Sequence, residues 1–176
     1  MKRVKIATIW LDGCSGCHMS FLDMDELLLD LADKIELVYS PLVDNKDYPD
    51  EVDVVLIEGA VSTPEDVAKL RKIRKHTKVV VALGDCAVTA NVPSMRNNLN
   101  TRDVLDLVYI DRPEVNPSIP TEHIPPLLKR VVPVREIIAV DIFLPGCPPP
   151  APKIVEAVTA LLEGKDPATL PTLRFG

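Results

Sequence analysis

The sequence predicts an α/β domain built on a mainly parallel sheet with helices on both faces. Two observations carry that expectation. Apolar, β-branched runs alternate along the chain with segments of helical period, which is the pattern of strands joined by crossover helices. At 176 residues, 47% of them apolar and only 4% aromatic, the chain is long enough to bury a core of Val, Leu, Ile and Ala.

The elements follow in order. VKIATIWL (4–11) reads as the first strand, and from Cys17 onward Phe21, Met24, Leu28 and Leu31 recur at helical spacing. Asp23, Glu26, Asp30 and Asp33 recur on another face and read as its solvated side. KIELVYS (34–40) and VDVVLIEG (52–59) are the second and third strands. The next helix is punctuated at both ends: Ser62 or Thr63 caps it, Pro64 suits its first turn, and Glu65 and Asp66 face the positive end of its dipole. Lys72, Arg74, Lys75 and His76 load the other end. TKVVVALG (77–84) is a fourth strand and EIIAVDIFLPG (136–146) a fifth, followed by a helix over about 152–163 and an extended tail, PATLPTLRFG. Between them, residues 91–135 are crowded with prolines and predict only a short helix around 102–108. That segment carries Arg112, His123, Lys129 and Arg130 among apolar residues and is expected to face a partner. The whole of 1–176 reads as one domain.

Composition excludes some functions. With 20 basic and 26 acidic residues the net charge is −6, so the chain lacks the positive footprint of a general nucleic-acid binder. No apolar stretch is long enough to cross a bilayer. The opening MKRVKIATIWLDG ends in Asp-Gly rather than a small-residue cleavage site and holds no twin-arginine pair, so a cytoplasmic protein is expected. In that compartment thiols set in a pattern point to metal binding or redox chemistry rather than to structural disulfides.

The four cysteines are set in such a pattern. Cys14 and Cys17 form a CxxC after the first strand, Cys86 follows the fourth and Cys147 the fifth. In a parallel sheet all of these turns lie on one edge, where ligands collect. Each has a nearby glycine: Gly13 and Gly16, Gly84, Gly146. A thioredoxin-like disulfide would use CxxC at a helix start but leaves Cys86 and Cys147 without a role. Structural zinc sites of four cysteines usually come as two close pairs in small loop-rich folds. One pair and two singles, drawn from separate loops of a well-made sheet, fit an iron–sulfur cluster better.

The stretches IWLDGCSGCHMSFLD, VVLIEGAVSTPED, VVALGDCAV and FLPGCPPP, in that order, resemble the small subunit of [NiFe] hydrogenases over nearly the whole chain. The resemblance implies a three-layer flavodoxin-like fold with the cluster loops at the C-terminal edge of the sheet. It also implies that Cys14, Cys17, Cys86 and Cys147 bind one [4Fe–4S] cluster, the one nearest a nickel–iron centre held by a separate large subunit. No cysteine follows Cys147, and no twin-arginine leader is present, so the likeness is to the short small subunit of cytoplasmic NAD(P)-linked, bidirectional hydrogenases. Their electrons leave for diaphorase subunits carrying FMN and further Fe–S clusters. The related cluster subunit of respiratory complex I has adjacent first cysteines, unlike the CxxC here. The resemblance further makes Glu58, at the end of the third strand, an acid beside the cluster. His18, next to Cys17, is expected to hydrogen-bond a sulfide or face the large subunit. Trp10 reads as a packing residue, and Asp12 and Asp85 as turn formers. The loop after the first strand, where such a fold would hold a flavin phosphate, is taken here by cysteines, and no flavin is assigned to this chain.

Overall fold

The computed structural model describes residues 3–165 and 167–170. Strands β1 (Val4–Trp10), β2 (Ile35–Tyr39), β3 (Val52–Glu58), β4 (Thr77–Leu83) and β5 (Ile142–Leu144) form one parallel sheet in the order β2-β1-β3-β4-β5. That is the flavodoxin-like doubly wound order. The chain leaves β1 for β2 on one side and returns to β3 on the other. The crevice at the C-terminal ends of β1 and β3 is therefore the switch point where such sheets bind ligands.

The two-residue period of the strands builds two cores. Ala7, Ile9, Val55, Ile57, Val80 and Ala82 face one side, where α3 (Pro64–Lys75) buries Leu70 and Ile73. Ile6, Val54, Leu56, Val81 and Leu83 face the other. There α1 (Gly16–Leu22), α2 (Glu26–Leu31) and α6 (Ala151–Leu162) bury Phe21, Leu31, Ile154, Ala157 and Val158. Helix α3 begins as its sequence predicts: Thr63 Oγ1 accepts from the Asp66 N–H at 3.1 Å, and the Asp66 carboxylate accepts from the Thr63 N–H at 2.9 Å.

Several elements differ from the sequence reading. The helix expected across 17–33 is two short ones, broken at 23–25, where Asp25 takes φ 47°. The apolar period survives the break because Phe21, Met24 and Leu31 still reach one core, while Asp23 and Asp25 favour a turn. The fifth strand pairs only over three residues. Its upstream half is the 3-10 turn Val134–Glu136 and irregular chain, whose Val134 and Ile138 are buried under the opposite core. After β4 the chain enters α4 (Gly84–Thr89) at once, then a 3-10 turn, Val92–Asn98, neither of which the sequence pattern announced. The short helix expected near 102–108 is α5 (Thr101–Asp106), prolonged by a π turn, Leu107–Asp111. In the tail expected to be extended, Pro167–Thr169 form a 3-10 turn and 171–176 lie outside the described residues. The proline-rich segment is tied back to the sheet edge: Val61 bridges Val132, and the Leu128 N–H donates to the Ser62 carbonyl at 2.7 Å.

Candidate metal centre

All four cysteine loops open on the C-terminal edge, and all four thiols are free. Cys14 lies in the turn after β1 and Cys17 in the first turn of α1; Cys86 lies in α4 and Cys147 follows β5. The loops are cross-braced. Leu11 N–H donates to the Glu58 carbonyl at 2.9 Å, and Asp12 and Ala60 exchange backbone bonds of 3.1 and 2.7 Å. Asp85 does more than form a turn: its N–H donates to the Gly146 carbonyl (2.9 Å) and its Oδ1 accepts from the Gly146 N–H (2.8 Å), joining the Cys86 and Cys147 loops. Ser20 on α1 donates its hydroxyl to the Pro149 carbonyl at 2.5 Å. Asp12, expected to form a turn, instead bridges Ala60 through its backbone and leaves its side chain exposed.

Glycine is required where the loops meet. Gly84 has φ +81°, and a Cβ there would lie 2.2 Å from Cys17 Sγ.

Burial is graded. Cys17 is buried, Cys86 half-buried, and Cys14 and Cys147 exposed. Burial pushes the Cys17 thiol up to about 12, with the Glu58 carboxylate next in effect and the other three thiols adding to it. The Cys86 thiol is also raised, by burial first and then by Cys147 and Cys14, against the Val92 N–H that lowers it. Cys17 thus feels the charge of the other three thiols, and Cys86 that of Cys147 and Cys14. Among the described residues no three His, Cys, Asp or Glu side chains are grouped so that they could hold a single metal ion. Thiols drawn from separate loops to one sheet edge are the kind of donor set a multi-iron centre takes.

Two consequences are measurable on metal-free protein. With iodoacetamide at neutral pH, Cys14 and Cys147 react first and Cys17 last, and Cys17 gains reactivity only as pH climbs towards 12; mass spectrometry of the alkylated peptides reads the order. The sign of the stability effect follows from the same shift. A thiol of ordinary value, 9.0, ionises in the unfolded chain before Cys17 does in the folded one. The folded state then holds the extra proton, so the metal-free chain loses stability as pH rises from about 9 to 12.

Glu58 stands where the sequence placed it, at the end of β3, but in full burial. Its Oε2 accepts from the His18 backbone N–H at 2.9 Å and pairs closely with His18 Nδ1. His18 is not turned to solvent or to a partner. It is 5% exposed, and its Nε2 sits 3.0 Å from Thr8 Oγ1. Thr8 gives its own hydroxyl hydrogen to Ser40 Oγ at 2.8 Å, so Nε2 is the donor to Thr8. Ser40 Oγ in turn accepts from the Leu42 N–H at 3.1 Å. This buried chain runs from the cysteine edge along one face of the sheet to the β2 side. The strand period could have found it: Thr8 and Glu58 share the face of Ile6, Val54 and Leu56, the face α1 covers. Thr8→Val, which keeps the shape and removes the acceptor, is expected to cost about 1–3 kcal/mol in urea unfolding, while Thr8→Ser stays near the parent. Trp10, expected to pack, is 48% exposed instead. It ends β1 beyond both cores and donates Nε1–H to the Gly13 carbonyl at 3.4 Å.

Comparison with known proteins agrees with this geometry. The protein-family model of the "NADH ubiquinone oxidoreductase, 20 Kd subunit" matches residues 14–161. A subunit of the F420-non-reducing hydrogenase vhu of Methanocaldococcus jannaschii is 41% identical over 96% of this chain and 59% of its own length. This chain therefore spans little more than half of that relative. The delta subunit of the NAD-reducing hydrogenase HoxS of Cupriavidus necator is 37% identical over 97% of this chain and 83% of its own. A chain in the crystal structure of an NAD+-reducing [NiFe]-hydrogenase in the H2-reduced state superimposes with TM-score 0.93 at 39% identity, over 99% of each chain. This chain, set apart above from the complex I subunit by the spacing of its first cysteines, falls under that subunit's family model. The chain belongs to the NADH ubiquinone oxidoreductase 20 Kd subunit family, and the relatives described above are hydrogenase subunits.

Proposed function

We propose that this chain is the electron-transfer small subunit of a NAD-reducing [NiFe] hydrogenase. It holds one proximal [4Fe–4S] cluster on Cys14, Cys17, Cys86 and Cys147. Through it, electrons pass between the nickel–iron site of a large subunit and a diaphorase module with FMN and further clusters, for H2 + NAD+ = NADH + H+. The observation that carries this reading is the convergence of four free thiols on one sheet edge at the switch crevice, with a glycine cleared against Cys17. When bound, such a cluster supplies one-electron transfer.

The residues of the chain have distinct parts in this. Cys17 and Cys86 bring the inner ligands, and their burial keeps water from that side of the centre. Glu58 holds the start of α1, and so Cys17, through the His18 N–H. Asp85 keeps the Cys86 and Cys147 loops in register. Cys14 and Cys147 face outward, and exposed apolar residues flank the cysteines along the chain, Trp10 and Met19 on one side and Val92 and Met95 on the other. Such a surface around a redox centre suits cover by a partner subunit, and the proline-rich segment 91–135 adds exposed Leu99, Ile124 and Leu127 to it. No described helix is long and apolar enough to cross a membrane, and a cytoplasmic site belongs to this proposal.

A second reading keeps the cluster and changes the acceptor. The Methanocaldococcus jannaschii relative, at 41% identity, belongs to an F420-non-reducing hydrogenase. Anaerobic purification separates the outcomes. About four iron and four sulfide per chain, with an EPR signal after dithionite, support the cluster. NAD+ reduction under H2 by the purified complex supports the NAD-linked reading, and its absence beside H2-dependent dye reduction supports the second. Zinc, or a Cys14–Cys17 disulfide, in place of iron would overturn both.

A further inference from the structure

One turn brings hydrogen-bond donors to two of the four sulfurs. Helix α4 ends at Ala90, a buried residue in the left-handed region at φ 66°, and the chain reverses at once. Asn91 Nδ2 then lies 3.7 Å from Cys147 Sγ. The next backbone N–H, that of Val92, donates to the Cys86 thiol.

Asn91 also occupies the N-cap position of the 3-10 turn Val92–Asn98, a place where asparagine usually turns its side chain back on the helix. It makes no such bond here. Its carboxamide is spent on sulfur, while its carbonyl accepts from the Ser94 N–H (3.2 Å) and Ser94 hydroxyl (2.7 Å), which pin the residue from behind. Two neighbouring asparagines behave differently. Asn100 caps α5 by accepting from the Arg102 N–H at 2.8 Å, and Asn97 clamps the Val131 backbone with bonds of 2.7 and 2.8 Å. Asn91 is the one of the three directed at a cysteine.

We propose that Asn91 sets the reduction potential of the centre the four cysteines hold, by donating its amide N–H to Cys147 beside the Val92 N–H on Cys86. This rests on the cluster reading above. Taking up one electron, from dithionite in the test or from H2 oxidation in the complex, adds one negative charge at the sulfurs. N–H donors aimed at sulfur favour the more negative state, so they raise the potential.

The test is an EPR-monitored redox titration, with dithionite and mediator dyes, of the anaerobically purified complex and its variants. Asn91→Ala is expected to make reduction about tenfold harder, a potential about 59 mV lower for one electron, with iron and sulfide unchanged. Asn91→Asp, of the same shape but with a carboxylate in place of the donor, is expected to lower it further. Asn97→Ala, which weakens the same turn without touching sulfur, is expected to leave it in place. An Asn91→Ala shift of less than twofold, or one equalled by Asn97→Ala, overturns the proposal while the cluster reading stands. So does loss of iron from Asn91→Ala together with an unmoved potential in Asn91→Asp. Absence of iron and sulfide from the unaltered chain overturns the cluster reading and this inference with it.

Discussion

Cys17→Ala is expected to abolish iron and sulfide binding while leaving the fold in place. Cys17 is the most buried of the four thiols, the one whose charge the site resists most strongly when no metal is bound. A metal ligand must be deprotonated, and a thiol raised to about 12 gives up its proton only to a strong partner. In the proposed reading, iron would supply that partner. The same environment then becomes an advantage, because burial shields the ligand bond from water and from competing thiols. Deleting one sulfur removes roughly one methylene's worth of buried surface, about 1 kcal/mol, against a domain with two aliphatic cores. Circular dichroism should therefore match the parent chain while iron and sulfide fall to background. A second readout separates ligand loss from general damage. Metal-free Cys17→Ala should also show a smaller fall in stability between pH 9 and 12, because one of the raised groups that titrate there is gone while Cys86 and Tyr48 remain. Cys14→Ala, at an exposed ligand, should lose iron too but keep that alkaline fall.

The parts of the fold and site that could be read from sequence are those that local chemistry dictates. Apolar strand runs, the Thr63–Asp66 capping box and the Lys72, Arg74 and Lys75 end of α3 all appear where their residues put them. The shared edge of the four cysteine loops was readable because parallel topology sends every strand's C-terminal end there. What escaped the sequence depends on partners far away in the chain. The EIIAVDI run looks like strand, yet only its last residue, Ile142, pairs with β4, while Ile138 is drawn into the opposite core. His18 sits beside a ligand and reads as part of its surroundings. Its role is fixed by Glu58, forty residues later, and by Thr8 beneath it. Asn91 has no motif of its own, and its contact with Cys147 exists only because Ala90 turns the chain back. Its signal in the sequence was one polar residue where an N-cap belongs.

Gly84→Ala is expected to damage both fold and site, and it locates where they are coupled. Gly84 closes β4 and opens α4, at φ +81°, a conformation that an L side chain enters at a cost of about 1–2 kcal/mol. The added methyl would also sit 2.2 Å from Cys17 Sγ, with the Gly146 carbonyl at 3.4 Å and Pro149 Cδ at 3.6 Å closing off its other sides. Those neighbours are the two other loops of the centre, so the methyl has nowhere to go that does not move a ligand. Overpacking of this kind costs roughly a further 1–3 kcal/mol. The combined loss, about 2–5 kcal/mol in urea unfolding, is a large part of the stability of an ordinary domain. If any of the strain is relieved, it is by displacing Cys17, which shows as lowered iron content and faster alkylation of that thiol. Gly16→Ala provides the contrast. A Cβ there meets Cys14 Sγ at 3.2 Å, a tight contact with an exposed thiol that can give way by a few tenths of an ångström. It should cost little stability and retain iron. A Gly84→Ala chain as stable as the parent, with Cys17 still slow to alkylate, would mean that the close fit of Gly84 against that sulfur is not what seats it.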